Sequence, residues 1–557
     1  MGWTIFMGEK VKARPSASLE EAQWMIEKGG VSQSVYQEYR LRFRDRFVLP
    51  PVMKVAAENQ KHRPDLVEYS QGVLAPIKQC LSLTLSERLQ LLDLSGLDSN
   101  FSVKFKFNWG LDGSGEHPNP SQLTKLHFST KQFMLVCFSI KEITVTDQNG
   151  QIVKWSGSDL GANKPQHVRP LSIFPSKEED SLLKDFIPIV EREIREVNNQ
   201  GVVVKLEDGS ECVTECVKDS LSMIDGKMVV RLLQLGGGYC TMCTINVRDG
   251  HNPEVVKSGL SINRNVDSIR DLALSLTDTD TGEIRTRKKD YSTRQGVTGI
   301  PITESDITKN IPVCHSKIRT VDWFSDLLTR AVSHKKWYHS ERPVTYTGEE
   351  RSEYLIAQEL IKDEFYQKIG VNLGNPGDMV AGNAFKTFSS DSAREVICGI
   401  VSDDLKEDVQ TIHLGLCAVV KVINSQKRLV NIPALSELCT SVYLTILKAF
   451  PWAIISPSVH RILAHSVELV ELNGGYGLGD MSEEGSEALN RYVRKADDSG
   501  SRADSTFHRF TDIFNHLWDR SRPRIVEMER KIIRRKEKVV ICTEIETLVL
   551  SLFLEDE

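Results

Sequence analysis

The sequence predicts a mixed α/β fold, led in by helices and followed by a long, mostly helical stretch. Three observations carry this. The stretch FSVKFKFNWGLDG (101–113) alternates, is rich in Phe and Val, and reads as a strand ending in a Gly-rich turn. QFMLVCFSIKEITVTD and GQIVKW, on either side of Asn149-Gly150, read as two strands joined by a hairpin turn. EEDSLLKDFIPIVEREIREVNNQG spaces its apolar residues for one helix face and ends on an Asn/Gly stop. Three strands, a helix and a further strand make a mixed sheet.

Taken in order, residues 1 to about 95 read as mostly helical. SASLEEAQWMIEKGG has a Ser18 cap, early acids and a Gly-Gly stop. VYQEYRLRFRDRF interleaves Arg40, Arg42, Arg44 and Arg46 with aromatic residues. That pattern suits a solvated helix face or a contact to a DNA backbone. After the amphipathic helix, GVVVKLEDG and SLSMIDG read as strands and KMVVRLLQLGGG as a helix. From 240 to about 465 the pattern is irregular, then helical, and from 480 to 540 it is helical and basic. No internal repeat or low-complexity tract stands out.

The 557 residues suggest three or four domains at ~100–200 residues each. With 40% hydrophobic and 26% charged residues, the composition is that of a soluble globular protein with sizeable cores. A net charge of −6 gives no sign of nucleic acid in bulk, so local basic runs matter more. The N-terminal MGWTIFMGEKVKARP is too short in apolar residues for a secretory signal and lacks the Ser or Thr of a myristoylation motif. No apolar run is long enough to span a membrane, and TLVLSLFLEDE reads as a strand or docking segment. Eleven scattered cysteines argue for a reducing compartment and make metal binding the first reading of any clustered pair.

Four sets of residues carry candidate chemistry. Asp112 (WGLDGSGEH) and Asp225 (SMIDGK) each read as a carboxylate at a strand end. Two such groups side by side can hold a pair of divalent ions for phosphodiester chemistry, and hard ions such as Mg2+ require oxygen ligands. Each Asp-Gly equally reads as a turn. MSEEGSEALNRYVRK reads as a helix start, with Ser482 as cap, and Glu483, Glu487, Asn490 and Arg494 on one face. Acids favoured by the helix dipole explain the same pattern. Cys240 and Cys243 form C-x2-C, half of a zinc site, and His460 and His465 form H-x4-H. The two halves are far apart in sequence. Five residues turn a helix by ~140°, so the two histidines are expected not to share a face unless the helix bends or ends there. RYVRKADDSGSRADSTFHRF and DRSRPRIVEMERKIIRRKEK mix basic residues with aromatics and His508, which suits DNA backbone binding or a solvated face. GGYGLGD lacks dinucleotide-binding spacing, there is no P-loop, and no nucleophilic triad is recognisable.

The segments VKFKFNWGLDGSGEH, SMIDGKMV, YCTMC, SVHRILAH and SEEGSEALNRYVRK, in this order, resemble Transib-family transposases. They equally resemble the catalytic core of the V(D)J recombination-activating proteins. The resemblance runs from about residue 30 to about 525. It implies an RNase H-like α/β core split by a large, mostly helical, zinc-binding insertion. The implied domains are a helical dimerisation and DNA-binding region (1–98), the core with the first two acids (99–235), the insertion (236–480), and the last catalytic helix with a basic C-terminal region (481–557).

Carried over residue by residue, the resemblance makes Asp112, Asp225 and Glu487 the acid triad for two Mg2+ or Mn2+ ions. Glu487 is preferred to Glu483 and Glu484 because Asn490-Arg491 follows it as the family's Asn-Lys does. Cys240, Cys243, His460 and His465 become ligands of one structural Zn2+. His315 (VCHSKIR) matches a histidine near the active site, and GNAFK, with Asn383 and Lys386, a DNA-contacting segment. The implied DNA-contacting set is Arg42, Arg44, His315, Arg319, Asn383, Lys386, Asn490, Arg491, Arg494 and Lys495. The implied activity is cut-and-paste transposition by a nuclear homodimer. It nicks at terminal inverted repeats, forms hairpins on flanking DNA and joins element ends to target DNA. The chain departs from the V(D)J proteins in the expected absence of an N-terminal RING-type zinc region, of a full nonamer-binding part and of a Cys/His-containing tail. The alternatives are a recombinase subunit that needs an accessory partner, and a non-catalytic DNA-binding protein. Three carboxylates that repel phosphate argue against the latter.

Overall fold

Helix α1 (Leu19–Glu27) starts at the predicted cap. Ser18 Oγ accepts the Glu21 N–H at 3.1 Å, and the Glu21 carboxylate accepts the Ser18 N–H at 2.9 Å. Helices α2 (Gln33–Arg42) and α3 (Val52–Lys61) pack with it around Ala22, Tyr36 and Val55. The structure, a computed structural model, describes residues 16–27, 33–42, 44, 48–92, 94, 101–114, 133–156, 164–175, 180–218, 222–236, 238–245, 253, 256, 261–278, 284, 294–333, 348–371, 373, 384–429, 431–500, 502 and 504–532. A hairpin that the sequence did not suggest follows: β1 (Val67–Tyr69) and β2 (Gly72–Leu74) turn through Ser70 and Gln71, at φ 46° and 64°. Helix α4 (Ile77–Leu91) leads to the main sheet.

The alternating residues of β3 (Ser102–Ser114) pair antiparallel with β4 (Phe133–Thr146) along their whole length, with one bulge at Lys106/Phe107. Strands β5 (Ile152–Ser156) and β6 (Arg169–Phe174) take the other edge of β4. The predicted turn between β4 and β5 has Gly150 at φ 77°. Helix α5 (Asp180–Gln200) stops at Gly201, φ 67°. Strands β7 (Val202–Lys205) and β8 (Glu211–Cys216) pair antiparallel, and β8 returns parallel to β3. Among the described residues the sheet has eight strands in the order β1-β2-β6-β4-β3-β8-β7, with β5 beside β4.

The chain forms two units: Met1–Asp219 with Glu484–Lys536, and Ser220–Glu483 with Glu537–Glu557. The second opens with a correction. SLSMIDG is not a strand: residues 222–225 are irregular, and Asp225 is the N-cap of α6 (Gly226–Leu232). Met223 and Ile224 are buried as strand residues would be, which made the segment look like one. Among the described residues, the longer elements that follow in this unit are helices: α7 (Val266–Leu276), α8 (Val313–Val332), α9 (Gly348–Ile369), α10 (Ala384–Phe388), α11 (Asp391–Ile400), α12 (Lys406–Ile423), α13 (Ile432–Ala449) and α14 (Pro457–Leu472). One apolar core joins α8 to α14 through residues such as Phe324, Phe365, Phe388, Leu416, Tyr443 and Ile462. Helices α12 and α13 approach closely at Gly415, where a Cβ would sit 2.2 Å from Val442 Cγ2. His413, two residues away, is fully buried, and its Nε2–H donates to the Phe388 carbonyl at 2.9 Å.

The chain then returns to the first unit as α15 (Glu484–Gly500), α16 (Thr506–Arg520) and α17 (Pro523–Ile532). Helix α15 starts at Glu484, with the expected cap residue Ser482 buried two positions before it. Helix α16 packs on β2 and β6. Its Trp518 lies under the guanidinium of Arg169, 3.6 Å from the ring centroid, and Arg169 is 2% exposed. Arg169 also donates to Thr84 Oγ1 at 2.7 Å and to the Trp518 carbonyl at 3.2 Å. Around it, Arg522 Nε meets Glu87 Oε1 at 2.7 Å and Arg63 pairs with Asp519. Buried charge on this scale is tolerated only when paired and hydrogen-bonded.

Candidate active site and metal centre

Cys240, Cys243, His460 and His465 meet in the second unit, all fully buried, with their ligand atoms within 4.8 Å of one another. The two cysteines lie in a short turn. Arg264, itself buried, braces it by donating to the Cys240 carbonyl at 2.8 Å. Both histidines come from α14, which Ser456 caps by accepting the Val459 N–H at 3.3 Å. The helix neither bends to a stop nor ends between them, contrary to expectation. Their rings stand 5.3 Å apart, centroid to centroid, with their planes at 80°. An imidazole is long enough to span the ~140° between the two positions.

The donor chemistry fits a metal. His460 Nε2 is 3.4 Å from Cys243 Sγ, while its Nδ1 is 3.1 Å from the Tyr443 hydroxyl, a partner that orients the ring. Both ring nitrogens of His465 are buried, and Nδ1 stands 3.6 Å from Glu468 Oε2. Burial raises the Cys240 thiol, but hydrogen bonds from Cys243, His460 and His465 overcome it and hold it well below its ordinary value. The Cys243 thiol is pushed up, first by the bond to Cys240 and then by burial. Tetrahedral zinc at ~2.0–2.3 Å from each ligand needs ligand atoms ~3.3–3.8 Å apart, a small contraction of this cluster. The group is a buried Cys2His2 set that can bind a metal such as zinc.

Asp225 lies in the same unit. As cap of α6 its Oδ2 accepts the Lys227 N–H at 3.1 Å. The start of α8 packs against it, since a Cβ on Gly226 would meet Pro312 Cγ at 2.8 Å. His315, in the first turn of α8, sets Nδ1 3.3 Å from Asp225 Oδ1 and 3.0 Å from Glu483 Oε1. Glu483 Oε1 also accepts the His315 backbone N–H at 2.9 Å. Asn310 braces the segment by donating to the Ile224 carbonyl at 2.7 Å. Arg461, between the two metal-site histidines in sequence, is 6% exposed. Burial lowers its pKa, and the charges of Cys240, Asp225 and Glu483 oppose that.

Asp112 lies in the first unit, on β3 opposite Leu135 and two residues before the strand ends. Asn490 of α15 donates Nδ2 to Asp112 Oδ2 at 2.6 Å. Its own Oδ1 is buried without a hydrogen-bond partner. Glu487, half-buried, stands on α15 one turn before Asn490. Beneath them, burial and the Asp112 charge push the Cys137 thiol up to about 12, against a hydrogen bond from Ser486.

No family model matches the chain, and no curated protein matches it either.

Of the acid set, Asp112 and the helix of Glu487 belong to the first unit and Asp225 to the second. The side chain of Glu483, 2% exposed, is spent on His315, while Glu484 and Glu487 are both half-buried. Of the DNA-contacting set, Arg42, Arg44, Arg319, Lys386, Arg491 and Lys495 are exposed, and Arg494 is half-buried. Asn490 is 8% exposed and turned to Asp112, and His315 is turned to Asp225 and Glu483. Asn383 lies outside the described residues. Sequence reasoning missed the partners of the site residues, Tyr443, Arg461 and Glu483 in that role, because nothing in their spacing ties them to it.

Proposed function

We propose that the chain is a metal-dependent DNA transposase or recombinase with an RNase H-like core. The observation that carries the reading is the Asn490–Asp112 hydrogen bond, which sets the helix of Glu487 against the strand of Asp112. The sheet supports it: three antiparallel strands, a helix, and a strand returning parallel to the first, with the first acid on that first strand. The resemblance in motif order supplies the reaction class.

In this reading Asp112, Asp225 and Glu487 hold two Mg2+ or Mn2+ ions, which when bound stabilise the attacking and leaving oxygens of phosphoryl transfer. Carboxylate oxygens suit such hard ions, and all three groups keep part of their surface open. Asn490 fixes the Asp112 carboxylate by taking one oxygen. The exposed Arg42, Arg44, Arg491 and Lys495 neutralise DNA phosphates. Water is the first nucleophile, at one strand of the element boundary. The freed 3′-hydroxyl then attacks the opposite strand and leaves a hairpin on flanking DNA, and the element's 3′-hydroxyl joins target DNA. Two ends must be synapsed, which calls for a homodimer, acting in the nucleus. Zinc at the Cys2His2 group is structural, since protein would fill all four positions.

The test is cleavage of a labelled duplex carrying candidate terminal repeats in Mg2+ or Mn2+, by the native chain and by Asp112→Ala, Asp225→Ala and Glu487→Ala. Nicks and hairpins from the native chain alone support the reading. Tight binding without cleavage in either metal favours a binding protein or a subunit that needs a partner. Cleavage by all three variants ends the proposal.

A further inference from the structure

Two helix starts meet in the second unit, and each has a carboxylate on it. Asp225 caps α6 from within the chain. Helix α8 has Pro312 at its cap position and no side-chain cap of its own. Its third amide, the His315 N–H, is satisfied by Glu483, a residue 168 positions away. One oxygen of Glu483 takes both the backbone N–H and the Nδ1 of His315, at 2.9 and 3.0 Å. An ionised carboxylate only accepts, so Nδ1 carries a proton. That same Nδ1 is 3.3 Å from Asp225 Oδ1. The imidazole therefore stands between a buried acid and a more open one, with a side-chain exposure of 2% for Glu483 and 15% for Asp225.

We infer that Glu483 is a positioning residue for Asp225, acting through His315. The inference rests on the proposed function, in which Asp225 is a metal ligand. A helix cap alone needs only the backbone N–H. The second bond, to Nδ1, fixes the ring, and the fixed ring restrains Asp225 Oδ1 while Lys227 N–H restrains Oδ2. Both oxygens of the carboxylate are thus aimed before a divalent ion arrives. Asn310 on the Ile224 carbonyl and the Gly226–Pro312 contact hold the backbone beneath. Outer partners of this kind typically change metal affinity or activity 10–100-fold when removed.

The experiment titrates Mn2+ into the zinc-loaded full chain by calorimetry and follows Mn2+-dependent nicking of supercoiled plasmid in parallel. The variants are Asp225→Ala, Glu483→Leu, Glu483→Gln, His315→Phe and His315→Asn. Gln keeps the accepting oxygen, and Asn keeps a donor where Nδ1 stands. Glu483→Leu and His315→Phe are expected to weaken Mn2+ binding about 10–100-fold, while Glu483→Gln and His315→Asn recover most of it. A role as helix cap alone gives another pattern: Glu483→Leu lowers the melting temperature and leaves Mn2+ affinity and nicking at native values, which overturns the inference. Conservative variants that behave as badly as the Leu and Phe ones overturn it too. Failure of the underlying reading shows elsewhere, in Asp225→Ala binding Mn2+ and nicking like the native chain, and takes this inference with it.

Discussion

Removing the charge of Glu87 should cost the first unit a large part of its stability. Glu87 is 3% exposed and meets the Arg522 guanidinium, itself 2% exposed, at 2.7 Å. The same oxygen lies 3.3 Å from His62 Nδ1. Two further arginines feel this anion. Burial brings Arg169 down to about 9 and Arg88 down to about 10, and Glu87 is the first group opposing each shift. Glu87→Gln keeps the shape and an accepting oxygen but leaves buried guanidinium charge behind. With charge centres ~4 Å apart and an effective dielectric of ~20, the lost attraction is ~4 kcal/mol. Measured losses from breaking one side of a buried pair run ~3–5 kcal/mol. Against a domain stability on the order of 5–15 kcal/mol, that is roughly a fifth or more. At ~2–4 °C per kcal/mol, the melting transition should fall by roughly 6–20 °C. Scanning calorimetry measures it, and near-UV circular dichroism of Trp518, stacked on Phe514 and Arg169, assigns the transition to this unit. Arg522→Met and the double variant complete a cycle, with the double change costing less than the sum. A Glu87→Gln shift under ~2 °C, or additivity within ~0.5 kcal/mol, would refute the reasoning.

Three further outcomes are expected. The chain should carry one zinc, and Co2+ in its place should give the visible spectrum of a tetrahedral thiolate site. Cys243→Ala should lose both and lower the melting of the second unit, leaving the Glu87-sensitive transition in place. His413 is buried and, mainly through desolvation, its pKa is lowered to about 4. The unfolded chain, at ~6.5, takes up that proton first, so the second unit should lose about 3 kcal/mol as pH falls from ~6.5 through ~4. His413→Gln should flatten that slope in urea titrations at a series of pH values. Asn490→Leu removes the donor to Asp112 and should slow Mg2+-dependent strand cleavage about 10–100-fold with DNA binding unchanged in a mobility-shift assay. Weakened DNA binding with cleavage per bound complex intact would assign Asn490 to the DNA instead.

Much of the first unit could be read directly. The alternation of 102–114, the Asn149-Gly150 turn and the apolar face of α5 are local patterns, and local patterns survive folding. Two errors were also local. The β1–β2 turn uses Ser70 and Gln71 at positive φ, where Gly or Asn would have signalled it. SMIDG buries Met223 and Ile224 like a strand, yet its Asp starts a helix. Spacing marks the two halves of the Cys2His2 set, but with 217 residues between Cys243 and His460 only the resemblance joins them. The convergence of both α14 histidines on one cluster depends on side-chain length, which an angular argument ignores. By sequence, Glu483 belongs with the acids that a helix dipole favours. Nothing in its neighbours announces that it would turn to His315.

The stack of Arg169 on Trp518 has a consequence for synthesis. Strand β6 and its buried arginine leave the ribosome early, while Trp518 follows only after the whole of Ser220–Glu483. At ~5–20 residues per second, the 349 residues from Arg169 to Trp518 take on the order of 17–70 s to translate. For that interval the nascent sheet lacks the indole over Arg169 and the carboxylate for Arg63. An incomplete apolar face kept open so long is a target for chaperones and for pairing with a neighbouring polysome product. The last helices thus act as a delayed lock, and a premature stop before Trp518 should yield insoluble chains rather than a shorter, stable protein.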